Sequence, residues 1–123
     1  TPFDRAAFAY LADAAEQLGH YADARDWLSR FDALEGDTAT PAVRTARLRR
    51  LGGLALAGGD APGALVALED AYKRGLRDAT MLGWLAEARW KTGNAAGAKD
   101  ALAQALALTP NDPQLRRLRQ SIR

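Results

Sequence analysis

Cysteine is absent from the 123-residue chain, which excludes a disulfide framework, thiol catalysis and every thiolate-held metal. Histidine occurs once, at His20, so no pair of imidazoles exists for a zinc site. Serine is confined to Ser29 and Ser121, both in helix-like stretches with no base implied beside them, so a hydrolase triad lacks its parts. No apolar run approaches the roughly 18 residues a membrane-spanning helix needs, and no membrane insertion is expected. The glycine pairs Gly52-Gly53 and Gly58-Gly59 lack the Gly-Lys-Ser/Thr ending of a phosphate loop. Adjacent carboxylates such as Glu69-Asp70 point to different sides of a helix. No catalytic residue, cofactor or metal site is expected. The missing cysteines leave the compartment open.

The chain has the balance of a packed, soluble protein, with 48% hydrophobic and 26% charged residues, and its length suits one domain over 1–123. Its net charge of +2 is too even to imply a polyanion partner, but the charge is unevenly spread. Residues 1–44 carry eight acids against four arginines, giving −4, while residues 113–123 add four arginines and no acid, giving +4. Such polarity is either solvated surface at the two ends or a bias toward head-to-tail self-association.

Three segments read alike: Leu18-Gly19-His20, Gly58-Gly59-Asp60 and Thr92-Gly93-Asn94. Glycine suits the left-handed position just past a helix, and Asp or Asn suits the cap of the next one. Before the three glycines stand Phe8, Leu11, Ala12 and Ala15; then Leu48, Leu51, Gly52 and Ala55; then Leu82, Leu85, Ala86 and Arg89. After them come Ala24 with Leu28, Ala64 with Leu68, and Ala98 with Leu102. The last unit closes on Pro110.

In these positions the chain resembles the tetratricopeptide repeat family, whose units pair two helices around small residues and end on proline. The repeats fall at about 5–38, 45–78 and 79–112, with Gly36 and Leu76 where the first two would carry the proline. The late aromatic of the first helix is replaced in all three, by Ala15, Ala55 and Arg89. A longer connection at 35–40 separates the first two units, and Thr40-Pro41 reads as a cap followed by proline at the first helical position. Thr1 and Asp4 have a spacing close to a capping box. Asp112-Pro113 opens a capping helix over 113–123, with Leu115, Leu118 and Ile122 on its apolar stripe. The expected fold is all-α: seven helices near 2–17, 21–34, 41–57, 61–74, 79–91, 95–108 and 113–122. Three helix-turn-helix hairpins then stack as a right-handed α-solenoid.

The resemblance implies a concave groove lined by the first helix of each repeat. Carried onto this sequence, its positions are Ala6, Ala9, Asp13, Glu16 and Gln17; Ala46, Arg49, Gly53, Leu56 and Ala57; and Thr80, Gly83, Glu87, Trp90 and Lys91, with Tyr10, Arg50 and Trp84 at the edges. Such a groove has a floor of small residues, an acidic side at Asp13 and Glu16, and Arg49 and Trp90 as anchors. The Lys, Asn and Arg set with which one subfamily clamps a C-terminal carboxylate is absent. The resulting reading is a non-catalytic interaction scaffold for a protein or peptide partner. An alternative is a regulatory or self-associating assembly segment of a larger enzyme or envelope-secretion protein. RNA binding through Arg47, Arg49, Arg50 and the final arginines is disfavoured, because no polar code recurs at fixed sites. The Ala- and Arg-rich composition suggests a high-GC bacterial source, and a start at Thr1 suits a segment of something longer.

Overall fold

The computed structural model describes residues 2–122, with side chains described from Ala6 onward. Seven α-helices follow one another: α1 (Pro2–Gln17), α2 (Tyr21–Glu35), α3 (Pro41–Ala57), α4 (Ala61–Lys73), α5 (Ala79–Lys91), α6 (Ala95–Leu108) and α7 (Pro113–Ser121). No strand is present among the described residues.

The hairpin turns follow from one local device used three times. Gly19, Gly59 and Gly93 adopt φ of 77°, 85° and 94°, a region that L side chains avoid. The next residue's N–H then reaches back to the helix it leaves. His20 N–H donates to Ala15 O, Asp60 N–H to Ala55 O and Asn94 N–H to Arg89 O, each at 2.8 Å. Asp60 and Asn94 also cap the following helix, accepting from Gly63 N–H and Gly97 N–H at 2.9 Å. His20 makes no such side-chain cap. The connection after α2 tightens into a 3₁₀ turn over Gly36–Thr38, and Thr40 Oγ1 accepts from Val43 N–H at 3.2 Å to start α3 at Pro41. Thr1, the start of the expected capping box, lies outside the described residues, as does Arg123.

Within each hairpin the two helices approach through alanine and glycine. Ala12, Ala24, Gly52, Ala64, Ala86 and Ala98 are all buried. A Cβ at Gly52 would stand 2.4 Å from Leu68 Cγ, so α3 and α4 touch where only hydrogen fits. The second helix of each hairpin then packs on the first helix of the next, α2 on α3 and α4 on α5.

Buried side chains form two clusters. The smaller gathers Ala12, Ala15, Ala24, Leu28 and Leu54, flanked by Tyr21, Trp27 and Leu51. Phe8 stacks on Trp27 there, centroids 5.5 Å apart, which places Trp27 on the apolar side of its hairpin. The larger runs from Ala55 through the second and third hairpins to Leu115 and Ile122 of α7. Leu115 and Ile122 are buried and Leu118 half-buried, so α7 lays its apolar stripe over the third hairpin.

Candidate functional site

The sequence-assigned residues of α3 and α5 meet through one aromatic. Trp84 of α5 lays the edge of its indole on Gly53 of α3, where a Cβ would stand 2.7 Å from ring carbons Cη2 and Cζ3. Arg49 covers the same ring, its guanidinium 5.1 Å from the centroid. That guanidinium is also held by Asp78 through two bonds of 2.9 and 3.1 Å. Asp78 caps α5 as well, accepting from Met81 N–H at 2.8 Å. Burial pushes the Asp78 carboxyl up, but Arg49 and the Met81 and Thr80 N–H groups outweigh it, and the carboxyl lies below its ordinary value.

The next residue, Arg50, bridges to α1. Its guanidinium bonds Asp13 at 2.6 Å and Glu16 at 3.1 and 3.2 Å. Partial burial disfavours the charged form, and the two carboxylates more than compensate, so Arg50 is held protonated above its ordinary value. The expected acidic side is therefore balanced within the chain. Arg50 and Trp84, equivalent in the repeat, do the same work by different chemistry. One reaches the preceding first helix through charge and the other through an aromatic edge.

Three clefts open among these residues. A cavity of about 460 Å³ lies between α5 and α7, lined by Thr80, Gly83, Trp84 and Glu87 on one side and Gln114, Leu115, Arg117, Leu118 and Ser121 on the other. Gly83 is its buried floor, with Leu115 Cδ2 2.8 Å from where a Cβ would stand. A second, of about 550 Å³, joins Ala42, Thr45, Ala46 and Arg49 of α3 to Gly75 and Leu76. A third, of about 260 Å³, is formed by Asp13, Glu16, Gln17 and Arg50. Of the remaining assigned residues, Ala9 is half-buried, while Ala6, Ala57 and Tyr10 are exposed. Leu56 and Trp90 are half-buried against the larger core, and Lys91 is exposed, 4.0 Å from Glu87.

Sequence reasoning missed the α7 side of the first cleft. Its signal was available, because Pro113 to Ile122 carries the apolar spacing of a repeat's first helix. It also missed that arginines on α3 hold the first hairpin. Arg47 pairs with Asp32 at 3.0 Å and with Glu35, and lies over the Phe31 ring at 4.6 Å. Arg25 reaches Asp60 at 2.9 Å. Arg89, standing where the family pattern has an aromatic, bonds Glu69 at 2.6 Å and Gly97 O at 3.0 Å. No three His, Cys, Asp or Glu side chains converge as a metal site among the described residues.

The family profile described as tetratricopeptide repeat matches residues 55–122, more than half of the chain. The chain belongs to the tetratricopeptide repeat family. No curated protein matches its sequence. Solved tetratricopeptide-like structures match its fold. The Yersinia enterocolitica type III secretion chaperone SycD, in complex with a peptide of the translocator YopD, superposes with a TM-score of 0.67 at 21% identity, over 94% of this chain and 83% of that one. PcrH, in complex with the chaperone binding region of PopB, gives 0.67 at 18% identity, over 96% and 90%. SycD in an alternative dimer gives 0.66 at 21% identity, over 96% and 85%. These likenesses establish a shared fold.

Proposed function

We propose that the face formed by α1, α3, α5 and α7 binds a peptide segment or helix of a partner protein, with no catalytic step. Residues 1–123 act in this reading as one unit, with repeats at about 5–38, 45–78 and 79–112 and α7 as its cap. The observation that carries the proposal is the cavity between α5 and α7, walled by Trp84, Leu115 and Leu118 with Thr80, Glu87 and Arg117 at its rim. A concave, partly apolar site with a few polar groups is the ordinary form of a binding pocket, and a central indole is a frequent anchor. That SycD and PcrH were solved holding peptide segments of translocators supports the reading.

The charges on this face shape the expected partner. Arg49 is matched by Asp78, and Arg50 by Asp13 and Glu16. A strongly charged tail would have to break those pairs, whereas an apolar side chain entering beside Trp84 or Leu76 breaks none. Recognition then rests on shape and apolar burial, with Glu87 and Arg117 fixing orientation.

The test selects peptides from a displayed random library and measures their affinity for wild type and for an Ala46→Arg, Thr80→Arg double variant. Both positions are exposed, so the arginines fill the clefts without entering the core. A loss of about tenfold or more is expected. Val66→Arg, on exposed α4 surface, serves as the control that retains binding. Equal affinity for wild type and the double variant refutes the groove assignment.

A further inference from the structure

Charge is matched within two of the three clefts on the α1, α3, α5 and α7 face, and unmatched in the other. Where Asp13, Glu16, Gln17 and Arg50 meet, the guanidinium answers both carboxylates. In the cleft between α3 and Leu76, Arg49 is held by Asp78 and Arg74 by Asp70. The α5–α7 cavity differs. Its carboxylates are already engaged: Asp112 accepts from Gln114 N–H at 2.9 Å and Leu115 N–H at 3.4 Å, and Glu87 lies 4.0 Å from Lys91. Its cation is not. The Arg117 guanidinium lines the cavity and meets no carboxylate or carbonyl among the described residues.

The surroundings deepen this imbalance. Helix α7 carries Arg116 and Arg119 beside Arg117, with no acid between Pro113 and Ser121. The other free polar groups of the cavity, the Thr80 hydroxyl and the Gln114 amide, are uncharged. The potential at the mouth is therefore positive, and an anion entering there breaks no existing pair. Leu118 follows Arg117 in sequence and joins Trp84 and Leu115 in the apolar part of the wall. One site thus offers apolar burial beside an unspent guanidinium, whose planar fork suits a carboxylate through two bonds. The cavity runs along α5 from Thr80 to Glu87, two helical turns or about 10 Å. An extended chain covers that length in about three residues.

We infer that the occupant of the α5–α7 cavity is a protein segment carrying an aspartate or glutamate close to a large apolar side chain, the carboxylate on Arg117 and the apolar group against Trp84, Leu115 and Leu118. This rests on the peptide-binding reading and adds to it the charge of the partner. One acid suits the site better than a run of them, because Glu87 stands in the same cavity and repels a second.

The test reads the sequences and affinities of peptides selected from the displayed random library. Wild type is expected to enrich Asp or Glu within about three residues of a large apolar residue. For the tightest such peptide, exchanging the acid for lysine weakens binding by about fivefold, as does Arg117→Glu in the protein, and the lysine peptide recovers on Arg117→Glu. Arg117→Lys keeps the preference for acid. Arg119→Glu changes the net charge equally but lies outside the cavity, and it leaves the preference in place. Both arginines are exposed, so the variants keep the fold, which far-UV circular dichroism verifies. Peptides that Ala46→Arg, Thr80→Arg blocks but that show no enrichment of acid, or that bind Arg117→Glu as well as wild type, overturn the inference and leave the groove reading standing. Equal losses from Arg117→Glu and Arg119→Glu also overturn it, since net charge alone then accounts for the effect. A library that yields no binder, or only binders indifferent to the double variant, overturns both.

Discussion

Gly52 and Gly53 sit side by side in α3, and replacing each by alanine has opposite consequences. Helix propensity alone favours both changes by about 1 kcal/mol, because glycine is the poorest helix former after proline. At Gly52 the new methyl would stand 2.4 Å from Leu68 Cγ, 2.5 Å from Cδ2 and 3.3 Å from Cδ1. Leu68 is fully buried between helices and has nowhere to retreat. Overfilling a packed core costs roughly 1–3 kcal/mol, and three obstructing atoms on an immobile residue place this case at the upper end. Gly52→Ala is thus expected to destabilise the fold by about 1–2 kcal/mol after the propensity gain. At Gly53 the obstacle is the outer edge of Trp84, a half-buried indole that borders the α5–α7 cavity rather than the packed core. Gly53→Ala is expected to be near neutral in stability while changing the Trp84 environment. Urea unfolding followed by far-UV circular dichroism measures the first effect, and near-UV circular dichroism the second. A Gly52→Ala protein as stable as wild type would refute the reasoning, since the close approach of α3 to α4 would then carry no energetic weight.

Arg47 and Glu35 are each only 12% exposed, so Arg47→Ala takes a cation away from a largely buried carboxylate and uncovers Phe31. A loss of about 2–3 kcal/mol is expected, read by hydrogen exchange as faster opening of α1 and α2 with α5 and α6 unchanged; uniform acceleration would sink the idea. Asp60 is held below its ordinary carboxyl value by Gly63 N–H and then by Arg25. Its stabilising effect is complete above the unfolded carboxyl pKa of about 4 and is lost as pH falls through the lower folded value. Asp60→Asn should therefore be less stable than wild type at neutral pH, with the gap closing in acid; a gap that widens in acid contradicts the assignment. Asp78→Asn should behave alike and also release Arg49 from Trp84, visible as a change in tryptophan emission.

Helix boundaries were legible because they are decided locally. A glycine with positive φ and a capping Asp, Asn or Thr act within four residues, and all seven helices begin and end within a residue of expectation. The small residues at Ala12, Gly52 and Ala86 were legible for the same reason, since the repeat fixes what faces them. Pairings across the stack were not. Asp13 and Glu16 read as an acidic wall and Arg49 as a free anchor, because a sequence does not state which guanidinium reaches which carboxylate. Trp84 read as an edge, and only the approach of α5 to α3 shows its ring resting on Gly53. The share of α7 in the α5–α7 cavity was hidden by its arginines, which drew attention to its solvent face.

The two joints of the stack differ in what binds them. The first joins the α1–α2 hairpin to α3 and α4 through Arg25, Arg47 and Arg50, paired with five carboxylates around a small core. The second includes Arg49–Asp78 and Arg89–Glu69 but rests on the fully buried Met81, Leu82, Leu85 and Ala88. Sulfate ions act on these joints in opposite directions. They screen partly exposed ion pairs within a Debye length, about 10 Å at 0.1 M ionic strength, and they strengthen apolar burial by exclusion from the surface. Rising ammonium sulfate therefore loosens the first hairpin while it tightens the other two, so one solute grades the chain from an evenly held stack to a firm body with a detachable end.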